Sequence, residues 1–270
     1  LPSSRNPDVA ASRAGVYIVV WESETTSGEA LDKSNIAFSI YDSRRSDGFE
    51  VPGRLLTVTT PPDDESDEDD ESDEPGEPVY ASSDYVPRIA TDHQGNWVVV
   101  WRSVDVDSEG NSVVRVKASV SSNNGQQWSE PTIIASNVHP DAEPVVAMRD
   151  GGEWIIAWSD LNPAEDRPDD ETTGTLDIFY SWTDNYGLTW APASPIRLDA
   201  NDNVPDLRPR IILTPSNEFL IAWTRLIGTA QHLMVSSTSD PASWENERFL
   251  VTNVQSADIY DLSLATDGRN

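Results

Sequence analysis

The chain has 270 residues, no cysteine, and 47 acidic residues against 18 basic ones, which gives a formal net charge of −29. This charge argues against nucleic acids and anionic membranes as partners, because both are themselves negatively charged. The absence of cysteine excludes disulfides, thiol nucleophiles and cysteine-ligated zinc, and no stretch approaches the roughly 18 apolar residues of a membrane span. A strongly acidic composition with only two lysines, Lys33 and Lys117, predicts a salt-adapted (halophilic) protein.

Four segments of the chain can be aligned, and in each of them a proline is followed 14 residues later by the tryptophan that ends an apolar run. In each copy a short apolar segment leads into a polar or glycine-containing turn, and an apolar run then ends at the tryptophan. We interpret each copy as strand, tight turn, strand, with the second strand buried on both faces. Internal repeats of this kind predict a row of similar sheets. The four pairs are Pro7 and Trp21, Pro87 and Trp101, Pro144 and Trp158, and Pro209 and Trp223.

An acidic segment, residues 63–78, separates the first copy from the second and contains 11 acidic residues and no apolar one. A block of like charges repels itself and stays solvated, so we predict a disordered loop at this place. The segment is an insertion into a single domain that spans residues 1–270. Loose binding of divalent cations or salt is the functional alternative for it.

A second acidic segment follows the tryptophan of the second copy and contains Asp105, Asp107 and Glu109. Its first residues imitate the start of a calcium-binding loop, but the twelfth position is Val116 instead of glutamate, so a complete EF-hand is excluded. A polar hairpin loop, a calcium site and a catalytic acid are the three interpretations. No other cofactor is indicated, because the three histidines are far apart and fit no zinc spacing.

The second and third copies are each followed by another motif that ends in tryptophan. The two segments read SSNNGQQW (121–128) and TDNYGLTW (183–190). Glycine supplies a positive φ in such a turn, and the asparagine side chain accepts bonds from turn amides. Both segments resemble the S-x-D-x-G-x-T-W Asp-box, or BNR repeat, of the sialidase-like β-propeller superfamily, with Asn in place of Asp. The matching residues are Ser121, Asn123, Gly125, Trp128, Thr183, Asn185, Gly187 and Trp190.

The resemblance implies an all-β fold, a β-propeller of four-stranded antiparallel blades. Four blades are recognisable, and the match of residues 264–267 to residues 89–92 predicts the start of a fifth near Tyr260. Propellers have about 4–8 blades, and the resemblance implies a six-bladed one. We therefore expect an incomplete propeller whose missing blades come from the parent chain or from another chain. In this superfamily the Asp-box residues are structural and lie away from the catalytic pocket.

The resemblance also implies glycan recognition and exo-sialidase activity. Sialidases bind the substrate carboxylate with arginines, because a guanidinium group pairs with it bidentately. Arg88 and Arg210 occupy equivalent positions on the strand expected to line the central channel, which makes them the substrate-binding candidates. Asp105 or Asp107 is the candidate catalytic acid, with a raised pKa. Tyr260 is the candidate nucleophile, although no glutamate is placed beside it.

Two functions therefore stand side by side. The first is an extracellular glycan-recognising module with glycoside hydrolase activity, and it depends on fold analogy and two arginines. The alternative is a non-catalytic scaffold or adhesion propeller within a larger secreted or surface protein. It is favoured by a departure from the family motif, since the proline precedes the arginine in residues 86–90 instead of following it. In that case each arginine pairs with a neighbouring acid.

Overall fold

The computed structural model describes residues 4–25, 33–45, 53–57, 82–106, 109–162, 175–196, 204–254 and 262–265. These residues form sixteen strands, and among them there is no helix that could span a membrane. The strands are β1 (Ser4–Ala11), β2 (Val16–Thr25), β3 (Lys33–Asp42), β4 (Arg54–Leu55), β5 (Ser83–Thr91), β6 (Trp97–Val106), β7 (Ser112–Ser121), β8 (Thr132–Ser136), β9 (Val145–Arg149), β10 (Glu153–Asn162), β11 (Thr175–Thr183), β12 (Ser194–Pro195), β13 (Asp206–Leu213), β14 (Phe219–Ile227), β15 (Ala230–Asp240) and β16 (Ser243–Val254).

The strands form four antiparallel sheets, each built from four consecutive strands. We number them sheet 1 (β1–β4), sheet 2 (β5–β8), sheet 3 (β9–β12) and sheet 4 (β13–β16). The first strands β1, β5, β9 and β13 contact one another in chain order, so they form a shared inner edge. This arrangement confirms the predicted all-β class and its four-stranded antiparallel blades. Of the expected fifth blade, the structure describes only residues 262–265, which form no strand.

The apolar core lies between the sheets. Three clusters of buried side chains fill the interfaces of sheets 1 and 2, 2 and 3, and 3 and 4. The apolar runs of β6 and β10 are buried on both faces, as predicted. In β2 only one face is buried, since Ile18 is inaccessible while Tyr17 is 41% exposed. The tryptophans predicted to serve packing are at most 1% exposed, which confirms that role for Trp97, Trp101, Trp154, Trp158 and Trp223.

The antiparallel order gives the row of sheets two ends. At one end, the turn end, lie the turns from first to second strand and from third to fourth strand. At the other, the connection end, lie the links from second to third strand and from one sheet to the next. The two kinds of turn contact each other within a sheet, because the Asn124 amide donates to the Gly95 carbonyl at 3.0 Å and the Tyr186 amide to the Gly152 carbonyl at 3.2 Å.

Candidate functional site

The residues predicted as Asp-boxes form two similar turns at the turn end. In the first, the Ser121 hydroxyl donates to Asn123 Oδ1 at 2.9 Å and accepts the Gly125 amide at 3.0 Å. Asn123 Oδ1 also accepts the Gln127 amide at 2.9 Å. The side chains of Ser121 and Asn123 thus accept hydrogen bonds from turn amides in place of backbone carbonyls. The second turn repeats all three bonds with Thr183, Asn185, Gly187 and Thr189.

Both turns pack closely on the preceding sheet. Gly125 and Gly187 have left-handed backbones, with φ of +78° and +77°, and have no room for a side chain. A Cβ on Gly125 would lie 2.5 Å from Ile18 of sheet 1, and one on Gly187 would lie 2.9 Å from Val120 of sheet 2. The tryptophans that end the two turns pack on the clusters of the same two interfaces. These contacts give the turns a structural role, remote from the connection end.

An irregularity beside the repeat proline marks the inner edge of sheets 1, 2 and 4. The residue before the proline has a positive φ in each, namely Asn6 (48°), Val86 (50°) and Arg208 (56°). The pairing of the first strand with the second also slips at this place. A residue before proline normally takes an extended conformation, and strain of this kind costs on the order of 1–3 kcal/mol. Strain repeated at equivalent positions makes this part of the inner edge a candidate site.

Arg88 and Arg210 follow these irregularities at equivalent positions of β5 and β13. Each is partly buried and donates from Nη1 to the carbonyl of the proline before it, at 2.9 Å in both sheets. Strand β9, with Val145 at the equivalent position, contacts both β5 and β13 and lies between them. On β1 the equivalent residue is Asp8, whose carboxylate accepts the Ile89 amide at 2.9 Å. The inner edge therefore carries two arginines on alternate strands.

Asp105, a predicted catalytic acid, lies within β6 opposite Val113 of β7. Its carboxylate accepts hydrogen bonds from Ser103 (2.8 Å), Lys117 (2.9 Å) and Arg115. Burial acts to raise the pKa of Asp105, but the hydrogen bonds from Lys117, Arg115 and Ser103 outweigh it. The pKa of Asp105 consequently lies below its ordinary value.

Two expectations about Asp105 are therefore wrong. The strand does not end before it, because the cross-strand cations of β7 compensate its charge and allow the pairing to continue. The raised pKa that a proton donor needs is also missing, since the same cations stabilise the charged form. Asp107, the other candidate acid, and Tyr260 lie outside the described residues, as does the acidic segment 63–78. Within the described ranges, no group of three or more His, Asp or Glu side chains is placed to hold a metal ion.

A cavity of about 420 Å³ opens at the connection end between sheets 2, 3 and 4. Its volume falls within the range of about 300–1,000 Å³ typical of small-molecule sites. Two leucines supply apolar wall, and the remaining side chains offer cations, carboxylates, an imidazole and a hydroxyl. These polar lining residues are Arg102, His139, Asp141, Glu143, Ser159 and Arg208.

The segment before β9 forms one wall of the cavity and is held by its own hydrogen bonds. The His139 amide donates to the Asp160 carboxylate at 2.8 Å. The Asp141 amide donates to His139 Nδ1 at 3.2 Å. Because Nδ1 is an acceptor here, a neutral His139 carries its proton on Nε2. Asp141 and Glu143 lie on the same wall, and Glu143 is the more buried of the two.

Two buried polar atoms at the cavity, Arg102 Nε and Ser159 Oγ, have no hydrogen-bond partner among the described residues. Ser159 is 7% exposed. Arg102 donates from Nη1 to the Pro140 carbonyl, and its guanidinium carbon lies 5.4 Å from the centre of the Tyr85 ring. Buried polar atoms nearly always have a partner, so two at one cavity indicate a site that receives a ligand or water.

Two buried aspartates at the inner edge were not identified from the sequence. Asp84 is 2% exposed and accepts the Trp101 indole N–H at 2.8 Å, and burial raises its pKa. Asp206 is 4% exposed and holds Arg225 by two hydrogen bonds of 2.8 and 2.7 Å. The sequence does contain the signal, because an aspartate stands three residues before the repeat proline at Asp84, Asp141 and Asp206.

No protein-family model matches this sequence, and no curated protein matches it. Solved structures do match. A protein of unknown function from Dyadobacter fermentans matches 92% of this chain over 69% of its own length, at 12% identity and a TM-score of 0.60. The NanB sialidase from Streptococcus pneumoniae matches 93% of this chain over 52% of its own length, at 10% identity and a TM-score of 0.55. The α-L-arabinanase from Penicillium chrysogenum, solved with arabinobiose, matches 92% over 67% of its own length, at 14% identity and a TM-score of 0.55.

This chain has the sialidase-like β-propeller fold. The predicted β-propeller fold is thereby confirmed, and the four sheets are four blades of such a propeller. The chain spans about half the length of the sialidase that it matches, 52%. The first strands β1, β5, β9 and β13 form the inner edge of the four blades, which in a closed propeller borders the central channel; we call them the channel strands. Arg88 and Arg210 lie on these channel strands, and the polar cavity opens at their connection end.

Proposed function

We propose that this chain belongs to an extracellular propeller that recognises glycans. The observation that carries the proposal is the polar cavity at the connection end, whose lining contains both arginines and acidic side chains. Sugar hydroxyls both donate and accept hydrogen bonds, so a site that offers guanidinium donors beside carboxylate acceptors suits them. The fold supports the same conclusion, since matching structures include a sialidase and an arabinanase solved with arabinobiose.

We assign the carboxylate of an acidic sugar to Arg88 and Arg210. Both side chains are partly exposed on the channel strands of blades 2 and 4. A guanidinium group binds a carboxylate in a planar, two-pronged geometry. The two arginines lie on alternate strands, with Val145 at the equivalent position of the strand between them. This assignment extends the proposal from sugars in general to acidic sugars.

Glycoside hydrolase activity is a finer proposal within the same function. Hydrolysis of a glycosidic bond commonly uses two carboxyl groups, one of which donates a proton. The lowered pKa of Asp105 makes it a poor donor, whereas Asp141 and Glu143 both line the cavity. We therefore place the acid among these two residues. The reaction needs no cofactor, and calcium binding near Asp107 stays a prediction.

A scaffold or adhesion propeller is the second candidate. The observation in its favour is the ion pairing of Asp105 with Lys117 and Arg115, which turns a predicted catalytic acid into a structural residue. The missing blades of the propeller, supplied by the parent chain or another chain, belong to both proposals.

A glycan array and a fluorogenic sialoside, both in high salt, test the function. We expect binding of acidic glycans, weakened at least about ten-fold in Arg88→Ala and in Arg210→Ala, because each loses a charge-assisted hydrogen bond. The matched control is Arg44→Ala, whose side chain pairs with Asp42 on the surface of blade 1. Unchanged binding in both channel variants would overturn the assignment. Turnover of the sialoside by the unsubstituted protein would establish a hydrolase. Folded protein that binds glycans without turnover would establish a binding module.

A further inference from the structure

We propose that the cavity at the connection end is an oxyanion subsite, in which Arg102 and Ser159 bind a carboxylate or sulfate group carried by a hydroxyl-rich ligand. The subsite is separate from Arg88 and Arg210, which are not among its lining residues. The proposal rests on the proposed function in one respect, namely that the ligand is a saccharide. The oxyanion itself follows from the side chains of the cavity.

The guanidinium group of Arg102 has few partners within the protein. The protein has 47 acidic residues against 18 basic ones, so arginines have acids to pair with. Yet within the described part of the chain the one side-chain hydrogen bond of Arg102 goes to a backbone carbonyl, that of Pro140. Its Nε is buried and has no partner among the described residues. A guanidinium group at a cavity wall that forms no ion pair with a described carboxylate is suited to an anionic ligand.

The hydroxyl of Ser159 is the second group of the subsite. Its Oγ is buried and has no partner, which is costly for a polar atom unless something enters the cavity to meet it. An unpartnered hydroxyl by itself does not define a site, because Ser34 on β3 of blade 1 has one too. What distinguishes Ser159 is that it lines a cavity of about 420 Å³ together with Arg102. Rotation about its Cβ–Oγ bond lets the hydroxyl hydrogen turn toward a group in that cavity.

The other lining residues determine which groups the ligand carries beside its oxyanion. Asp141 and Glu143 also line the cavity and repel a bare polyanion. The same carboxylates accept hydrogen bonds from hydroxyl groups, and His139 offers a proton on Nε2. A ligand with one oxyanion and several neighbouring hydroxyls satisfies all of them at once. Sugar acids and sugar sulfates both have this chemistry.

Calorimetric titration of the whole chain tests the subsite with four probes, namely glucuronic acid, glucose 6-sulfate, glucose and sodium sulfate. We expect glucuronic acid or glucose 6-sulfate to bind at least about ten-fold more tightly than glucose, because hydrogen bonds to a charged group exceed those to a neutral one. Ser159→Ala should weaken the preferred probe about ten-fold, and Arg102→Lys should do so as well, since lysine keeps the charge but has no Nε. Preference for glucuronic acid assigns a carboxylate, and preference for the sulfate ester assigns a sulfate.

Two matched variants control for structural effects. Ser34→Ala removes an equally buried, unpartnered hydroxyl that does not line the cavity. Arg115→Lys removes another buried, unpartnered Nε, but from an arginine paired with Asp105. Neither control should change probe affinity. Both serine variants should keep or raise the melting temperature, because deletion of an unsatisfied hydroxyl removes a desolvation cost.

The outcomes separate this subsite from the proposed function. The subsite is overturned if Ser159→Ala binds the preferred probe as tightly as the unsubstituted protein does, or if the unsubstituted protein binds no probe. Water alone then supplies the hydrogen-bond partners of Arg102 Nε and Ser159 Oγ. Sulfate binding that depends on Ser159 without any sugar binding upholds the oxyanion site at Arg102 and Ser159 but contradicts both the hydroxyl-rich ligand and glycan recognition. Loss of probe binding in Arg88→Ala would place the oxyanion in the channel and also overturn the subsite.

Discussion

The carboxylate of Glu22 accepts the backbone amide of Val86 at 2.6 Å. Glu22 lies on β2 of blade 1, is 5% exposed, and also accepts the side-chain amide of Asn6 at 2.7 Å. Asn6 and Val86 are the residues with positive φ on the inner strands of blades 1 and 2. One buried carboxylate therefore holds two strained segments of adjacent blades together.

Removal of that carboxylate should destabilise the protein. Glu22→Ala leaves the Val86 amide and the Asn6 side chain without their acceptor, at an expected cost of about 2–3 kcal/mol in the free energy of unfolding. Urea denaturation measures it. Glu24→Ala on the same strand breaks a partly exposed ion pair with Arg5 and should cost less than about 1 kcal/mol. Equal losses in the two variants would contradict the role of Glu22.

Substitution of Gly187 separates backbone strain from steric overlap. Gly187→Ala combines a φ of +77° with a Cβ only 2.9 Å from Val120 and Trp154. Gly110→Ala has a similar φ of +84° but meets nothing within 4 Å. The strain alone costs about 1–2 kcal/mol, so we expect Gly110→Ala to lose that amount. Overpacking adds about 1–3 kcal/mol in Gly187→Ala, and thermal denaturation of both variants reads out the difference. A Gly187→Ala variant as stable as Gly110→Ala would show that the blades yield to the methyl group.

The buried ion pair of Asp206 and Arg225 should be coupled more strongly than a surface pair. Asp206→Ala leaves a guanidinium group that is 8% exposed without its carboxylate, and removal of one partner from such a pair costs about 3–5 kcal/mol. The double variant Asp206→Ala/Arg225→Met should recover part of this loss, because no buried charge then lacks a partner. A double-mutant cycle in urea measures the coupling. Additive losses would mean that the two residues act independently.

Asp105→Asn should lose stability in a pH-dependent way. The folded pKa of Asp105 is lowered, so its charged form stabilises the fold fully above the unfolded pKa of about 3.9. That contribution disappears as the pH falls through the lowered folded value. We therefore expect the variant to be less stable than the parent at pH 7, and the gap to close below about pH 4. A gap that is constant from pH 7 to pH 2 would contradict the ion pairs with Lys117 and Arg115.

Asp84→Asn supplies the opposite control for that experiment. Burial raises the folded pKa of Asp84, so the parent loses stability as the pH rises from about 3.9 through the folded value. The variant carries no ionisable group at this position. Its stability relative to the parent should therefore improve with rising pH, whereas that of Asp105→Asn worsens.

The repeats made the fold predictable from the sequence. A constant spacing from proline to tryptophan identifies the first two strands of each blade, and the glycine-containing turns identify the link between the third and fourth. The apolar run of β6 is buried on both faces as expected, because it lies between two sheets. The exposure of Tyr17 shows that the same prediction is wrong for β2, because a strand is buried on both faces only where a sheet covers each face.

The candidate site was less predictable, for three physical reasons. Arg102, Ser159 and Arg208 come from three different blades, so no local pattern joins them. The acid-rich stretch at Asp105 reads as a loop until its cations on β7 are paired across the strands. Finally, residues before proline avoid a positive φ, so the strain at Val86 contradicts its local preference and depends on Glu22 of another blade.

Each of the three apolar clusters among the described residues contains side chains of two neighbouring sheets. Among the four described sheets, a middle one therefore supports two clusters and an outer one supports a single cluster. Stability then accumulates with the number of interfaces, as in a row of nearest-neighbour units. Cooperativity follows from this sharing, because unfolding of a middle blade removes the single cluster of its outer neighbour and one of the two clusters of its other neighbour.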